Sequence, residues 1–126
     1  MDDLNFRLQP VEPDEQEAAV LRLSFPNRWF LECRYGGCSC HFRNWDRQNP
    51  PEFWEPQDWF EEDPEDVEAT QAFYDLVVRL VGEGEKIDIV TVWTGEDVLH
   101  ERTISLVEVS KAAFRFMDGF RFDVVP

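Results

Sequence analysis

Cys33-Arg34-Tyr35-Gly36-Gly37-Cys38-Ser39-Cys40 holds the three cysteines of the chain within eight residues, and its reading decides how the flanking segments pair. A Gly-Gly pair between two runs rich in aromatic and apolar residues specifies a two-residue primed turn, since both central residues must take positive φ. Residues 29–35 and 38–44 then form the arms of a hairpin in which Tyr35 faces Cys38 and Cys33 faces Cys40. Side chains alternate along a strand, so Trp29, Leu31, Cys33, Tyr35, Cys38, Cys40 and Phe42 share an apolar face. Glu32, Arg34, Ser39, His41 and Arg43, with Phe30, share the other, which reads as solvated.

Two chemistries compete for these thiols. A zinc site of three cysteines and one histidine needs Cys33, Cys38, Cys40 and His41 to converge at about 2.3 Å from one ion, yet His41 points away from the thiols in this hairpin. Cys38 and Cys40 are also roughly 7 Å apart along a strand, and the C-x2-C knuckle is absent. An odd cysteine count suits a reducing compartment better than a secreted disulfide framework. The expectation is therefore reduced cysteines packed as small hydrophobes and no cofactor. The alternative is a zinc or thiol-redox module at Cys33, Cys38 and Cys40. Facing residues bring Cα atoms to about 5.5 Å, so oxidation would permit a strained Cys33–Cys40 bridge.

Outward from the turn, Leu4-Asn5-Phe6-Arg7-Leu8 alternates as a short strand, and residues 14–23 carry helix formers with acids in the first turn until Pro26 stops the run. Asp63-Pro64-Glu65-Asp66 supplies an N-cap, a proline at the first helical position and two acids in the first turn. Val67, Thr70, Phe73, Tyr74, Val77, Leu80 and Val81 then recur at helical spacing, and Gly82 and Gly84 end the helix. Residues 87–94 are β-branched and apolar on both faces, the pattern of an interior strand. Residues 103–109 form a further strand. Residues 114–122 read as a second hairpin in which a left-handed Gly119 sets Phe116 opposite Phe120 and Phe114 opposite Phe122. The class is α+β: an antiparallel sheet built from the hairpins, with one long and one short helix, in a two-layer sandwich. With 126 residues there is material for a single domain.

Charge is the second informative property. There are 27 acids against 12 bases, a formal charge of −15. A nucleic-acid binder needs cations along the phosphate backbone, and only Lys86, Lys111 and ten scattered arginines are present. Anionic membranes are disfavoured on the same ground. No run approaches the roughly 18 apolar residues that span a bilayer, and the start Met1-Asp2-Asp3 lacks the basic and apolar regions of a signal peptide. A cytoplasmic protein is expected.

The acids concentrate where the periodicity fails. Between residues 46 and 68 ten are acidic and only Arg47 is basic. Pro50, Pro51 and Pro56 forbid a regular helix there, while Trp45, Phe53, Trp54, Trp59 and Phe60 are too apolar for a solvated linker, so an irregular, acidic, Trp-rich loop is expected at about residues 45–62. Rings anchor and carboxylates steer at interfaces for basic proteins, which makes Trp45, Phe53, Trp54, Glu55, Asp58, Trp59, Glu61 and Glu62 the candidate partner-binding set. Tryptophan with carboxylates is also the composition of a sugar cleft, with one acid protonating the glycosidic oxygen and another acting as nucleophile or base. A loop that merely covers the core is the third reading. His100-Glu101 beside Glu96-Asp97 reads as a surface turn, and neither a nucleophile elbow nor a phosphate loop is present.

Gly36-Gly37-Cys38-x-Cys40-x-Phe42, Trp93-x-Gly95-Glu96 and the closing Phe114-x-Phe116-x2-Asp118-Gly119-x2-Phe122-x-Val124 resemble a set of small uncharacterised bacterial proteins, over about residues 29–125. Those relatives carry Gly-Cys-x-Cys-Gly-Phe, and His41 stands here in place of the second glycine. The resemblance implies a stand-alone bacterial domain and no catalytic residues. The functional expectation is a small acidic binding protein, not an enzyme, with an immunity-like or regulatory role and a basic protein partner. A metal or thiol module is the alternative, and a carbohydrate-active enzyme a distant third.

Overall fold

A computed structural model describes residues 5–12, 14, 15, 17–33, 41–45, 50–59, 61–93 and 95–126. The order of elements is β1 (Phe6–Pro10), α1 (Ala18–Leu21), β2 (Trp29–Cys33), α2 (Pro64–Gly82), β3 (Ile87–Thr91), β4 (His100–Ser105) and β5 (Phe120–Val125). The α+β class expected from the sequence is the class observed.

The long helix follows its signals closely. Asp63 Oδ1 accepts a hydrogen bond from the Glu65 N–H at 2.8 Å, Pro64 opens the first turn, and Glu65 and Asp66 place negative charge at the positive end of the dipole. At the far end Gly84 takes φ +91°, and the amides of Gly84 and Glu85 donate to the carbonyls of Val81 and Leu80. That is a glycine C-cap of the Schellman type. Ala69, Thr70, Phe73, Tyr74, Leu76 and Val77 form the buried face of α2. The short helix is reduced to Ala18–Leu21 within the expected 14–23, because Glu15 and Glu17 bond loop amides instead of opening a first turn: Glu15 Oε1 accepts from the Glu17 amide and Glu17 Oε1 from the Gly95 amide.

Pairing departs from the expected single antiparallel sheet. β1 and β2 form an antiparallel pair, with Cys33 opposite Phe6 and Leu31 opposite Leu8. A separate three-stranded sheet has the order β3-β5-β4, in which β5 is antiparallel to β3 and parallel to β4. β3 is thus an edge strand and not an interior one, and the segment after Ser105 turns where a longer strand was expected. The Phe114–Phe122 hairpin does not form. Gly119 does take the left-handed conformation, at φ +84°. It leads, however, into a strand that serves two other partners, while Phe116 bridges to Asn44.

The reason lies in Phe53. Its ring stacks on Phe114 at 6.0 Å and touches Phe122 at 5.7 Å, so the loop supplies the aromatic contact that the hairpin would have made across its own strands. A parallel pair needs a long crossover, and the connection from β4 to β5 runs through the core, burying Phe114, Arg115, Phe116 and Met117. One buried cluster joins α2 to both sheets: Phe6 and Cys33 from the first, Ile104, Phe122 and Val124 from the second, and Phe73, Tyr74 and Val77 from the helix. The other face of the three-stranded sheet is polar. There Arg121 is gripped by Asp123 at 2.7 Å and by Asp88 at 3.0 Å, and it also reaches Ser24 from the segment after α1.

Candidate functional site

Of the loop expected at about 45–62, the described residues 56–58, 61 and 62 lie beside the start of α2. Its foundation is a pair of buried arginines. Arg43 and Arg115 both have fully buried side chains, and Glu62, only 10% exposed, pairs with each, at 2.9 Å and 3.1 Å. Arg43 Nε also donates to both Glu62 oxygens, while its Nη1 donates to the carbonyls of Ala112 and Phe114 and its Nη2 to that of Trp54. Arg115 Nη2 donates to the same Trp54 carbonyl at 2.7 Å, and its guanidinium carbon lies 3.5 Å from the centre of the Trp54 indole. This is a desolvated cation–π contact.

Arg43 therefore corrects the expectation of a solvated hairpin face. Its own amide bonds Thr70 Oγ1 on α2 at 2.8 Å, and its side chain turns under the loop. Neither Arg43 nor Arg115 was marked by composition. The local sign is an arginine flanked by phenylalanines in Phe114-Arg115-Phe116, a connection buried on all sides that carries a cation into the interior.

Two guanidiniums against one carboxylate leave this cluster with a net positive charge. Burial, reinforced by repulsion from Arg43, lowers the Arg115 pKa from its ordinary value to about 10, against the pull of Glu62. Because the folded value is depressed, the folded state gives up this proton at lower pH than the unfolded chain, so the penalty for carrying the charge is complete at neutral pH and is relieved as pH rises past about 10. Arg115→Met removes the penalty at neutral pH and leaves Arg43 balanced one-to-one by Glu62. Urea melts at pH 7 should show Arg115→Met within about 1 kcal/mol of wild type, and Arg43→Met at least about 2 kcal/mol worse, since the latter also strands the Ala112 and Phe114 carbonyls, whereas the Trp54 carbonyl keeps Arg115 as a donor.

The rest of the expected partner-binding set divides in two. Phe53 belongs to the core, Trp45 is half-buried with its indole N–H donating to the Pro50 carbonyl, and Glu62 belongs to the arginine cluster. Trp54 is the hinge between the two groups: Arg115 lies against its ring, and Trp59 stacks on it at 6.0 Å and 22°. Trp59 is 68% exposed. Glu55, Asp58 and Glu61 are exposed as well.

Asp58, Glu61 and Glu62 on the loop and Val67, Glu68 and Gln71 on the helix line an open groove of about 890 Å³. Spacings of three and four residues put Pro64, Val67, Glu68 and Gln71 on one face of α2, beside the face that packs into the core. Asp58, Glu61 and Glu68 have no ion-pair partner among the described residues. Just outside, Asp66 lies 3.8 Å from His41, and burial, with the nearby Asp63 charge, pushes its carboxyl above the usual range.

The competing chemistries find less. Cys33 is buried in the core, and Cys38, Cys40 and the Gly36-Gly37 turn lie outside the described residues. Among the described residues no group of three or more His, Cys, Asp or Glu side chains is arranged to hold a metal ion. For a sugar cleft, the most enclosed acid among the described residues of the loop is Glu62, and both of its oxygens are engaged by guanidiniums. The His100-Glu101 turn is dispersed: His100 packs on Phe120, Glu101 reaches toward Arg121 at 3.7 Å, and Asp97 pairs with Arg22 at 2.9 Å. No helix among the described residues is long and apolar enough to cross a membrane.

Comparison with known proteins finds no matching family model, no matching curated protein and no matching solved structure.

Proposed function

We infer that the chain is a small acidic binding protein, immunity-like or regulatory in role, that engages a basic protein partner through the loop at 45–62 and the start of α2. One observation carries this reading. Trp59 is 68% exposed yet held in place by stacking on Trp54, next to a groove whose outer carboxylates are uncompensated. A fixed indole amid like charges is a poor solvent-facing arrangement and a good anchor, because a tryptophan ordered in advance loses little entropy on binding. The surrounding field of a −15 chain speeds encounter with a cationic surface and repels phosphate. Binding, and not catalysis, is the role of the groove.

The test is capture on immobilised protein at low and at high salt, with Trp59→Ala in parallel. A basic protein should be retained at low salt and released at high salt, and the alanine variant should retain at least about tenfold less, the size of a moderate hot spot. Recovery of no basic protein at low salt, or equal recovery by both variants, refutes the reading.

A further inference from the structure

Resting on that binding role, we propose that the groove between the loop and α2 takes one extended segment of the partner, seating arginine or lysine side chains with their stems on the apolar floor and their cationic heads at Asp58, Glu61 and Glu68. The volume of about 890 Å³ lies within the range of roughly 300–1,000 Å³ typical of ligand sites, enough for a few residues of extended chain and too little for a folded element. Pro56, Pro64 and Val67 provide the apolar lining, and the acids stand on both walls, Asp58 and Glu61 on the loop and Glu68 on the helix. An apolar strip flanked by carboxylates is complementary to a long side chain that is aliphatic along its stem and charged at its tip.

The arginine pair sets the depth. Glu62 also lines the groove, but its two oxygens are committed to Arg43 and Arg115, and the cluster beneath is net positive. A cation pushed toward Glu62 meets two buried guanidiniums. Incoming charge is thereby confined to the outer acids, so Glu62 belongs to the scaffold of the site and Asp58, Glu61 and Glu68 make the contact.

The experiment is calorimetric titration of the whole chain, at low salt, with blocked tri-arginine, tri-lysine and tri-glutamate peptides. Two triple variants lose equal charge: Asp58→Asn, Glu61→Gln and Glu68→Gln in the groove, against Glu83→Gln, Glu85→Gln and Glu108→Gln, all exposed, as the control. The cationic peptides should bind and tri-glutamate should not. The groove triple should weaken tri-arginine about tenfold more than the control triple, with a shallower dependence on salt. Equal weakening by both triples, or no binding at low salt, overturns the groove as a site, since only the bulk field would remain. If Trp59→Ala abolishes peptide binding while the groove triple leaves it unchanged, the groove is again refuted but the binding role survives, with the partner seated on the outer face of the loop. The protein capture described above fails or succeeds independently of these titrations.

Discussion

Replacing Glu62 with alanine should cost the fold about 3–5 kcal/mol, because it leaves two fully buried guanidiniums with no counter-charge. A domain of this size has stability of only about 5–15 kcal/mol, so the variant should melt on the order of 10–20 °C lower or fail to accumulate. The measurement is urea denaturation followed by tryptophan fluorescence, whose signal includes Trp54 beside the cluster. An exposed acid of the same loop, such as Glu55, should change stability by no more than about 0.5 kcal/mol. Equal effects at the two positions would mean that the buried network is not what holds the loop.

The same geometry predicts a rescue. Removing one cation as well as the carboxylate lessens the charge left uncompensated, so Glu62→Ala combined with Arg115→Met should lose less than the sum of the two single changes. Non-additivity of this sign is a property of a shared cluster. It would be absent if Glu62 faced a partner, as its composition suggested.

What the sequence made legible were features written locally. The cap, the proline and the acids at residues 63–66, the stripe ending at Gly84 and the alternation of β1 each depend on neighbours a few residues apart. The arginine cluster does not. Arg43 meets Glu62 across 19 residues and the Ala112 carbonyl across 69, while Arg115 meets the Trp54 carbonyl across 61. Alternation assigns a side chain to a face of a strand but does not say what covers that face, so an arginine assigned to the outer face of a hairpin reads as solvated until a loop closes over it. The same gap explains why Glu62 was grouped with Asp58 and Glu61: composition counts carboxylates, and only three-dimensional pairing separates the one that is spent from those that are available. Strand partners were hidden for a related reason. Asp118-Gly119 specifies a left-handed residue, which Gly119 supplies, but a turn of that kind is compatible with a hairpin or with entry into a central strand, and the choice is made by distant groups.

Phe114 is where that choice can be tested. Its ring is 2% exposed and packs on Phe53, Tyr74 and Phe116, with centroids at 6.0, 5.7 and 5.5 Å. Phe114→Ala should therefore cost about 3–5 kcal/mol, the transfer of a large ring plus the cavity it leaves. In the hairpin, Phe114 and Phe120 would share one apolar face and weigh about equally. In the observed fold Phe120 is only partly buried, against Phe122 and His100, so Phe120→Ala should cost roughly half as much or less. The decisive comparison is with Phe53. A double-mutant cycle between Phe114→Ala and Phe53→Ala, read by urea melts, should give a coupling of about 1 kcal/mol or more, because the two rings lie against each other and share one cavity when both are removed. Coupling near zero would mean that the loop is not seated on the core through Phe53. Strong coupling means that Trp54, one residue further along, is positioned by the same contact, so a loosened Phe114 should also weaken partner capture even though it lies beneath the surface on which a partner would sit.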